Sequence, residues 1–345
     1  MIVADKNILR NYNFIDLFAG IGGFHLALNS MGAECVFASE WDKYAVETYE
    51  QNFHLKPFGD ITKISEKDIP THDILCGGFP CQAFSISGKQ KGFEDTRGTL
   101  FFDIARITDF HKPKVLFLEN VKNLAKHNEG KTLKIITNSL QELGYSVFTK
   151  ILNSSNFGLP QNRERIYIVA FHNSLNSNSF KFPVPPNTPI CLDQLLENEP
   201  KNAKIIERND IEIYKNYTVS NSLLSEMEVL NKPIQIGKVN KGGQGERIYH
   251  TLGHAITLSA YGGGVGSKTG LYLVNGKIRK LSPRECARVQ GFPDNFVLNS
   301  SNTQAYKQFG NSVSVNVLQY ILIEIGKILK LNEKQNKNTV ELEYA

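Results

Sequence analysis

Residues 14–28 read FIDLFAGIGGFHLAL. A strand-like apolar run, a glycine turn and an apolar helical stretch follow directly on one another. Gly20, Gly22 and Gly23 let a ligand approach the backbone at the carboxyl end of a strand, where α/β sheets bind their ligands. The dinucleotide fingerprint G-x-G-x-x-G does not fit, because His25 stands at the third glycine. Glu40 follows Gly20 by 20 residues and ends a second strand candidate. A carboxylate there suits two ribose hydroxyls. Trp41, the only tryptophan, is suited to stack on an adenine, and Asp60 to take its amino group. Adenosine contacts without a pyrophosphate site fit S-adenosylmethionine better than NAD. The alternative is a tight βα turn with incidental acids.

Working outward, apolar runs at 12–18, 34–39, 72–76, 114–119, 146–152 and 165–171 predict strands. Helical patterns at 22–31, 42–52, 99–110 and 130–143 lie between them. This alternation predicts an α/β fold, a parallel sheet with helices on both faces. From about 172 the texture changes. Asn, Ser and Pro cluster through 173–189, as in a linker. Segment 237–276 holds 11 of the 27 glycines and reads as loops and short strands. Ser282-Pro283 opens a helix over 283–291. An amphipathic helix is expected at 312–329, and the polar tail 331–345 is expected to fray.

At 345 residues the chain has room for one large domain or two moderate ones. With 41% hydrophobic and 21% charged residues it reads as an ordinary soluble globular protein. No run approaches about 18 consecutive apolar residues, so no membrane span is expected. The N-terminal MIVADKNILRNYN has no apolar signal core, and a cytoplasmic location is expected. Five cysteines without a C-x-x-C pair argue against a disulfide framework and a four-cysteine zinc site. Net charge is only +5, but residues 201–280 carry 12 Lys and Arg against 6 acids. That excess suits either a solvated lysine-rich surface or the footprint of nucleic-acid phosphates.

Residues 76–87 read CGGFPCQAFSIS. Gly77-Gly78 and Pro80 place Cys81 on a tight loop after a strand, where a cysteine is better placed as a nucleophile than as core. Cys76 is expected to pack in the strand, and Cys286 in the helix at 283–290. Glu119 ends another strand candidate and brings a carboxylate to the same rim, where it can serve as general acid or cap a helix. Arg163 and Arg165 alternate, so on a strand both would point to one face, to clamp a phosphate or hold the Cys–Glu pair. The alternative is a surface ion-pair cluster. Gly130-Lys131-Thr132 is no phosphate loop, because Ala125 replaces the first glycine. His250 and His254 are spaced like a metal pair, but the intervening Thr-Leu-Gly disfavours a helix. They are expected at the surface or against a DNA backbone, and no metal site is expected.

Taken in order, FAGIGG (18–23), Glu40-Trp41, Asp60, GGFPCQAFS (77–85), Glu119-Asn120-Val121, QNRERIY (161–167), RKLSPRECARVQGFPDNF (279–296) and AYKQFGNSVSVNV (305–317) resemble the C5-cytosine DNA methyltransferase family. SISGKQKGFED (85–95), KGGQGERIY (241–249) and AITLSAYGGG (255–264) are similar to its HhaI-type branch, which modifies the first cytosine of GCGC. HTLGH (250–254) and VGS (265–267) depart from that branch.

The resemblance implies a Rossmann-like S-adenosylmethionine-dependent methyltransferase fold with a smaller, mostly β and loop target-recognition domain. A catalytic domain would span 1–190 plus 305–332, a DNA-reading domain 191–304 and a polar tail 333–345. Cys81, next to Pro80, would attack cytosine C6. Glu119 would bind N3, and Arg165 with Arg163 would orient base and acid. Phe18, Ala19, Gly20, Gly22, Gly23, Glu40, Trp41, Asp60, Ile61, Pro80, Leu100, Asn311 and Ser312 would hold S-adenosylmethionine. Ser87 and Gln244 would fill the space left by the flipped base. Arg247 would read guanine, and Ser85, Lys89, Thr257, Leu258 and Tyr261 would hold double-stranded DNA. A monomer is expected, and a restriction endonuclease acting on the same site would fit the branch. The rival readings are a tRNA-directed cytosine methyltransferase, whose Cys-Phe-Thr tripeptide is missing here, and a DNA-binding protein without catalysis.

Overall fold

The computed structural model describes residues 7–80, 99–186, 188–214 and 232–343. They form two compact units. The first is Met1–Leu152, Glu164–Val184 and Val317–Ala345; the second is Asn153–Arg163 and Pro185–Asn316.

The first unit is built on a six-stranded sheet of order β2-β1-β3-β4-β6-β5. Its strands are β1 (Asn13–Leu17), β2 (Glu34–Ser39), β3 (Ile74–Gly78), β4 (Val115–Val121), β5 (Tyr145–Asn153) and β6 (Glu164–His172). β1, β2, β3 and β4 run parallel, as their continuous apolar runs require of strands buried on both faces. β6 departs from the expected all-parallel sheet and lies antiparallel to β4. No α-helix separates β5 from β6. A parallel return needs a long crossover, and this connection supplies none.

Helices α1 (Gly23–Asn29), α2 (Lys43–Phe53), α3 (Leu100–His111) and α4 (Lys131–Glu142) fall between the strands. α3 turns Phe101, Ile104, Ala105 and Ile107 into a core shared with Ile15, Leu75, Leu116 and Ile168. Cys76 is buried in β3 as expected, its thiol donating to the Ile15 carbonyl.

The second unit carries β7 (Glu212–Ile213), β8 (Ile234–Lys238), β9 (Arg247–His250), β10 (Leu271–Val274) and β11 (Lys277–Arg279) in a five-stranded sheet of order β11-β10-β9-β8-β7. Ile206, Ile234, Ile236, Val239, Ile248, Leu271 and Ile278 form its core. α5 (Pro283–Val289) opens with a capping box between Ser282 and Glu285, as Ser282-Pro283 signals. Cys286 is buried in it. α6 (Asn302–Asn311) was not expected, and α7 (Val315–Glu343) runs past 329 through the tail expected to fray. By length and composition Asn302–Gln335 is apolar enough to cross a membrane, but 67% of its apolar window is buried inside the protein. Ile321, Leu322, Ile325 and Leu329 are core residues. His254, expected at the surface or against a DNA backbone, is fully buried, and its Nε2–H donates to the Ile190 carbonyl at 2.9 Å.

Candidate active site

The chemistry of the first unit gathers at the carboxyl ends of its parallel strands. β1 leaves the sheet through Phe18, whose φ of +55° is a genuine outlier for a bulky residue. Such a conformation costs on the order of 1–3 kcal/mol and persists only where the surroundings impose it. Gly20 and Gly22 continue the turn in the left-handed region, at φ +56° and +82°. A Cβ on Gly22 would lie 2.2 Å from the Phe53 ring, so only glycine fits. At Gly20 an added Cβ would meet nothing within 4 Å, which leaves space over the turn. Ala19 and Gly23 are buried beneath it.

Glu40 is fixed by backbone. Its Oε2 accepts the Gly20 N–H at 2.8 Å, and its Oε1 accepts those of Trp41 and Asp42 at 2.9 and 2.8 Å. Burial pushes this carboxyl up, and the three N–H donors oppose the shift. A carboxylate offers about four acceptor positions, so one remains, on Oε2. Trp41 is 82% exposed, an indole face open to a ligand. Residue 58 pairs beside Ser39, which brings Asp60 to the same rim. The Asp60 Oδ1 accepts the Thr62 hydroxyl and N–H, and these hold its carboxyl below its usual range. Ile61 is buried in the core below, and Leu100 begins α3.

The second cluster lies where β3 and β4 end. Gly78 pairs with Glu119 across the parallel ladder, and Glu119 pairs with Tyr167 across the antiparallel one. Arg165 pairs with Val121, two residues along on each strand. It is therefore a diagonal neighbour of Glu119 on the same face, within reach of a long side chain. Arg165 Nε and Glu119 Oε1 are 3.1 Å apart, with the side chains 14% and 10% exposed. The Asn120 amide donates to the Phe79 carbonyl at 2.8 Å and so fixes the exit of β3 toward Pro80. Asn120 lies within the Glu119-Asn120-Val121 motif, and a polar side chain ending an apolar strand is the sequence signal of this role. Cys81, Ser85, Ser87 and Lys89 lie outside the described residues.

β6 begins at Glu164, so the alternation argument does not reach Arg163. Arg163 is buried in the second unit, and its guanidinium donates to the carbonyls of Leu258, Gly310 and Ser312. Gln161 completes this hub. Its Oε1 accepts the Leu258 N–H, and its Nε2 donates to Gln290. The Gln290 amide in turn donates to the carbonyls of Phe309 and Ser312. Asn311 ends α6 and Ser312 caps it. Thr257 donates its hydroxyl to the Asn162 carbonyl. Gln161 and Gln290 were not singled out, and a buried glutamine leaves little trace in sequence.

The DNA-reading candidates Gln244 and Arg247 lie exposed at the β8–β9 hairpin. Tyr261 is 75% exposed and Leu258 is buried. Asp16, not singled out, is buried in β1 with Oδ2 unpartnered. Burial pushes its carboxyl well above the usual range. An acid inside the apolar run FIDLF was its signal.

A family model described as C-5 cytosine-specific DNA methylase matches residues 12–327. The Type II methyltransferase M.HhaI of Haemophilus parahaemolyticus is 58% identical, over 95% of this chain and 98% of its own. M.HpaII of Haemophilus parainfluenzae, also a Type II methyltransferase, is 46% identical over 92% of this chain and 89% of its own. The crystal structure of the S. pombe Dnmt2 methyltransferase shares the fold, with a TM-score of 0.65 at 22% identity over 91% of this chain and 98% of that one.

Proposed function

Because the chain belongs to the C-5 cytosine-specific DNA methylase family, we propose that it flips the first cytosine of GCGC out of duplex DNA and methylates it at C5 from S-adenosylmethionine, with Cys81 as nucleophile. Its membership makes it a cytosine-5 DNA methyltransferase; the target, the cofactor contacts and the residue roles are the proposal. The observation that carries it is the ion pair of Glu119 and Arg165 beside the strand exit that leads to Pro80.

Cytosine C5 is a weak nucleophile. A bond from the Cys81 thiolate to C6 would make C5 electron-rich, and Glu119 would offset the charge by hydrogen bonding or protonating N3. Arg165 holds Glu119 in place and would face the same base. S-adenosylmethionine supplies the methyl group. After transfer the C5 proton leaves to a base, the C5–C6 double bond re-forms and the thiolate departs. The cofactor's fit rests on the open space at Gly20 and on Glu40, whose remaining acceptor position suits a ribose hydroxyl. Phe18, Trp41 and Asp60 would complete the adenosine contacts. Flipping costs a few kcal/mol of unpairing and unstacking. Gln244 would fill the vacated space, and Arg247 would read guanine through O6 and N7.

The test is transfer of a labelled methyl group to a GCGC duplex and to a scrambled one, with Cys81→Ala alongside. Label confined to the GCGC duplex and absent with Cys81→Ala is the expected result. Equal label on both duplexes removes the target assignment. Label retained by Cys81→Ala removes the nucleophile. Label on tRNA and on no duplex would favour the RNA-directed reading.

A further inference from the structure

The β8–β9 hairpin turns through residues 239–246. Its ladder continues past the strand ends, with the Val239 N–H donating to the Glu246 carbonyl at 2.8 Å. The Gly242 N–H donates to Val239 and the Glu246 N–H to Gly243, so Gln244 and Gly245 stand at the tip. There the Gly245 carbonyl accepts the Gly266 N–H at 2.7 Å, from the loop that follows Tyr261. That loop is itself closed, by Ser259 N–H to Lys268 O at 3.0 Å and Gly270 N–H to Gly266 O at 2.8 Å.

The two loops meet backbone against backbone. A Cβ on Gly245 would lie 2.1 Å from the Gly263 carbonyl oxygen. One on Gly264, at φ +85°, would lie 3.0 Å from the Gly245 oxygen. One on Gly266 would lie 2.7 Å from Leu271 and 3.1 Å from the Gly245 oxygen. No side chain is needed for the contact, so Gln244, Arg247 and Tyr261 remain exposed.

We propose that Gly245 is a specificity-positioning residue, whose backbone clasps the Gly263–Gly266 turn and fixes Gln244 and Arg247 against Tyr261 as one reading surface. The inference rests on the proposed reading of those three side chains as DNA contacts. Bidentate recognition of a base edge demands fixed donors. Two separate exposed loops would sample many relative positions. A methyl group at Gly245 must push the Gly263 carbonyl away by about 1 Å, and a displacement of that size is enough to cost large factors in recognition.

The experiment compares Gly245→Ala with Gly263→Ala in the full chain. Gly263 sits at the same contact, but an added Cβ there meets nothing within 4 Å. Methyl transfer is measured on GCGC duplexes and on duplexes changed at one flanking base pair of the site. Exchange of the Gly266 amide is followed in parallel. Gly245→Ala is expected to raise KM for the GCGC duplex about tenfold and to narrow the kcat/KM discrimination by a similar factor. Its kcat and S-adenosylmethionine affinity stay near wild type, and the Gly266 amide exchanges faster. Gly263→Ala keeps wild-type values throughout. The proposal is overturned if Gly245→Ala discriminates like wild type, if Gly263→Ala loses as much, or if Gly245→Ala lowers thermal stability and kcat together while discrimination holds. Wild-type transfer to a site other than GCGC overturns the target assignment and not the clasp, which is then judged between the variants on that site.

Discussion

The sheet rim of the first unit and the loops proposed to read DNA in the second are held in different ways. At the rim the candidate site side chains are themselves the bonded groups. Glu40 is gripped by three backbone N–H donors, Glu119 by Arg165, and the exit of β3 by the Asn120 amide. Between the loops the contact is backbone to backbone, while Gln244 and Tyr261 are exposed and the exposed Arg247 donates to the Gly242 carbonyl of its own hairpin at 3.4 Å. Fixed chemistry needs side chains set before the substrate arrives. Base reading needs side chains that are exposed on a rigid frame. A glycine clasp supplies that frame while leaving the side chains above it replaceable.

The sharpest way to break this comparison is at Glu119 and the two arginines. Glu119→Gln is expected to lower kcat by about 10²–10⁴, the usual range for loss of a general acid, with DNA binding retained in a gel-shift assay. Arg165→Ala should follow it in kcat. Arg163→Ala should behave differently, because its guanidinium serves the carbonyls of Leu258, Gly310 and Ser312. The Ser312 carbonyl keeps the Gln290 amide, but leaving the Leu258 and Gly310 carbonyls without Arg163 costs about 1–3 kcal/mol each at most, so thermal unfolding should show a loss of a few kcal/mol. An Arg163→Ala protein of wild-type stability but lost kcat would place Arg163 in the chemistry beside Arg165 and dissolve the distinction.

A smaller effect is expected at Gly22. Gly22→Ala forces a Cβ to 2.2 Å from the Phe53 ring at a φ of +82°. Ala at a positive φ destabilises by more than about 1 kcal/mol. The shift should appear both in thermal unfolding and as weaker S-adenosylmethionine binding by calorimetry. Unfolding alone, with cofactor affinity intact, would detach the glycine turn from the cofactor site.

The strands and helices of the first unit were legible because each is a single apolar run or stripe. The direction of β6 was not, since periodicity carries no direction; the missing helix between β5 and β6 was the available clue. The tail misled through its polarity. Glu, Lys and Gln are good helix formers, and a helix already nucleated by buried Ile321, Leu322 and Ile325 extends through them at little cost. The alternation argument does not extend to Arg163, because the strand begins at Glu164. Glu119 and Arg165 were legible as types, but their pairing depends on register. Gly245 was visible only as loop texture, because its partner Gly266 is distant in sequence and the contact is tertiary.

The effect confined to acid pH concerns His25, behind the glycine turn. Its Nδ1 is 2.6 Å from the Tyr49 hydroxyl, and its ring stacks on Phe53 at 3.9 Å, with Phe14 edge-on. Burial lowers its pKa from 6.5 to about 4. Between those values the unfolded chain binds a proton that the folded chain does not. Stability is therefore lost as pH falls from about 6.5 toward 4. His72, also lowered by burial to about 4, adds a slope of the same sign. Asp16 and Glu40 act in the opposite sense, because burial raises their pKa values and their contribution is lost as pH rises. The wild-type curve is thus a difference of opposing terms, and its net slope identifies none of them. The informative quantity is wild type minus His25→Gln, measured by denaturant unfolding at several pH values. That difference should change across pH 6.5 to 4 and stay flat above 7. A difference that is constant throughout would mean that His25 is not held neutral, and that the packing behind the turn is looser than its ring contacts require.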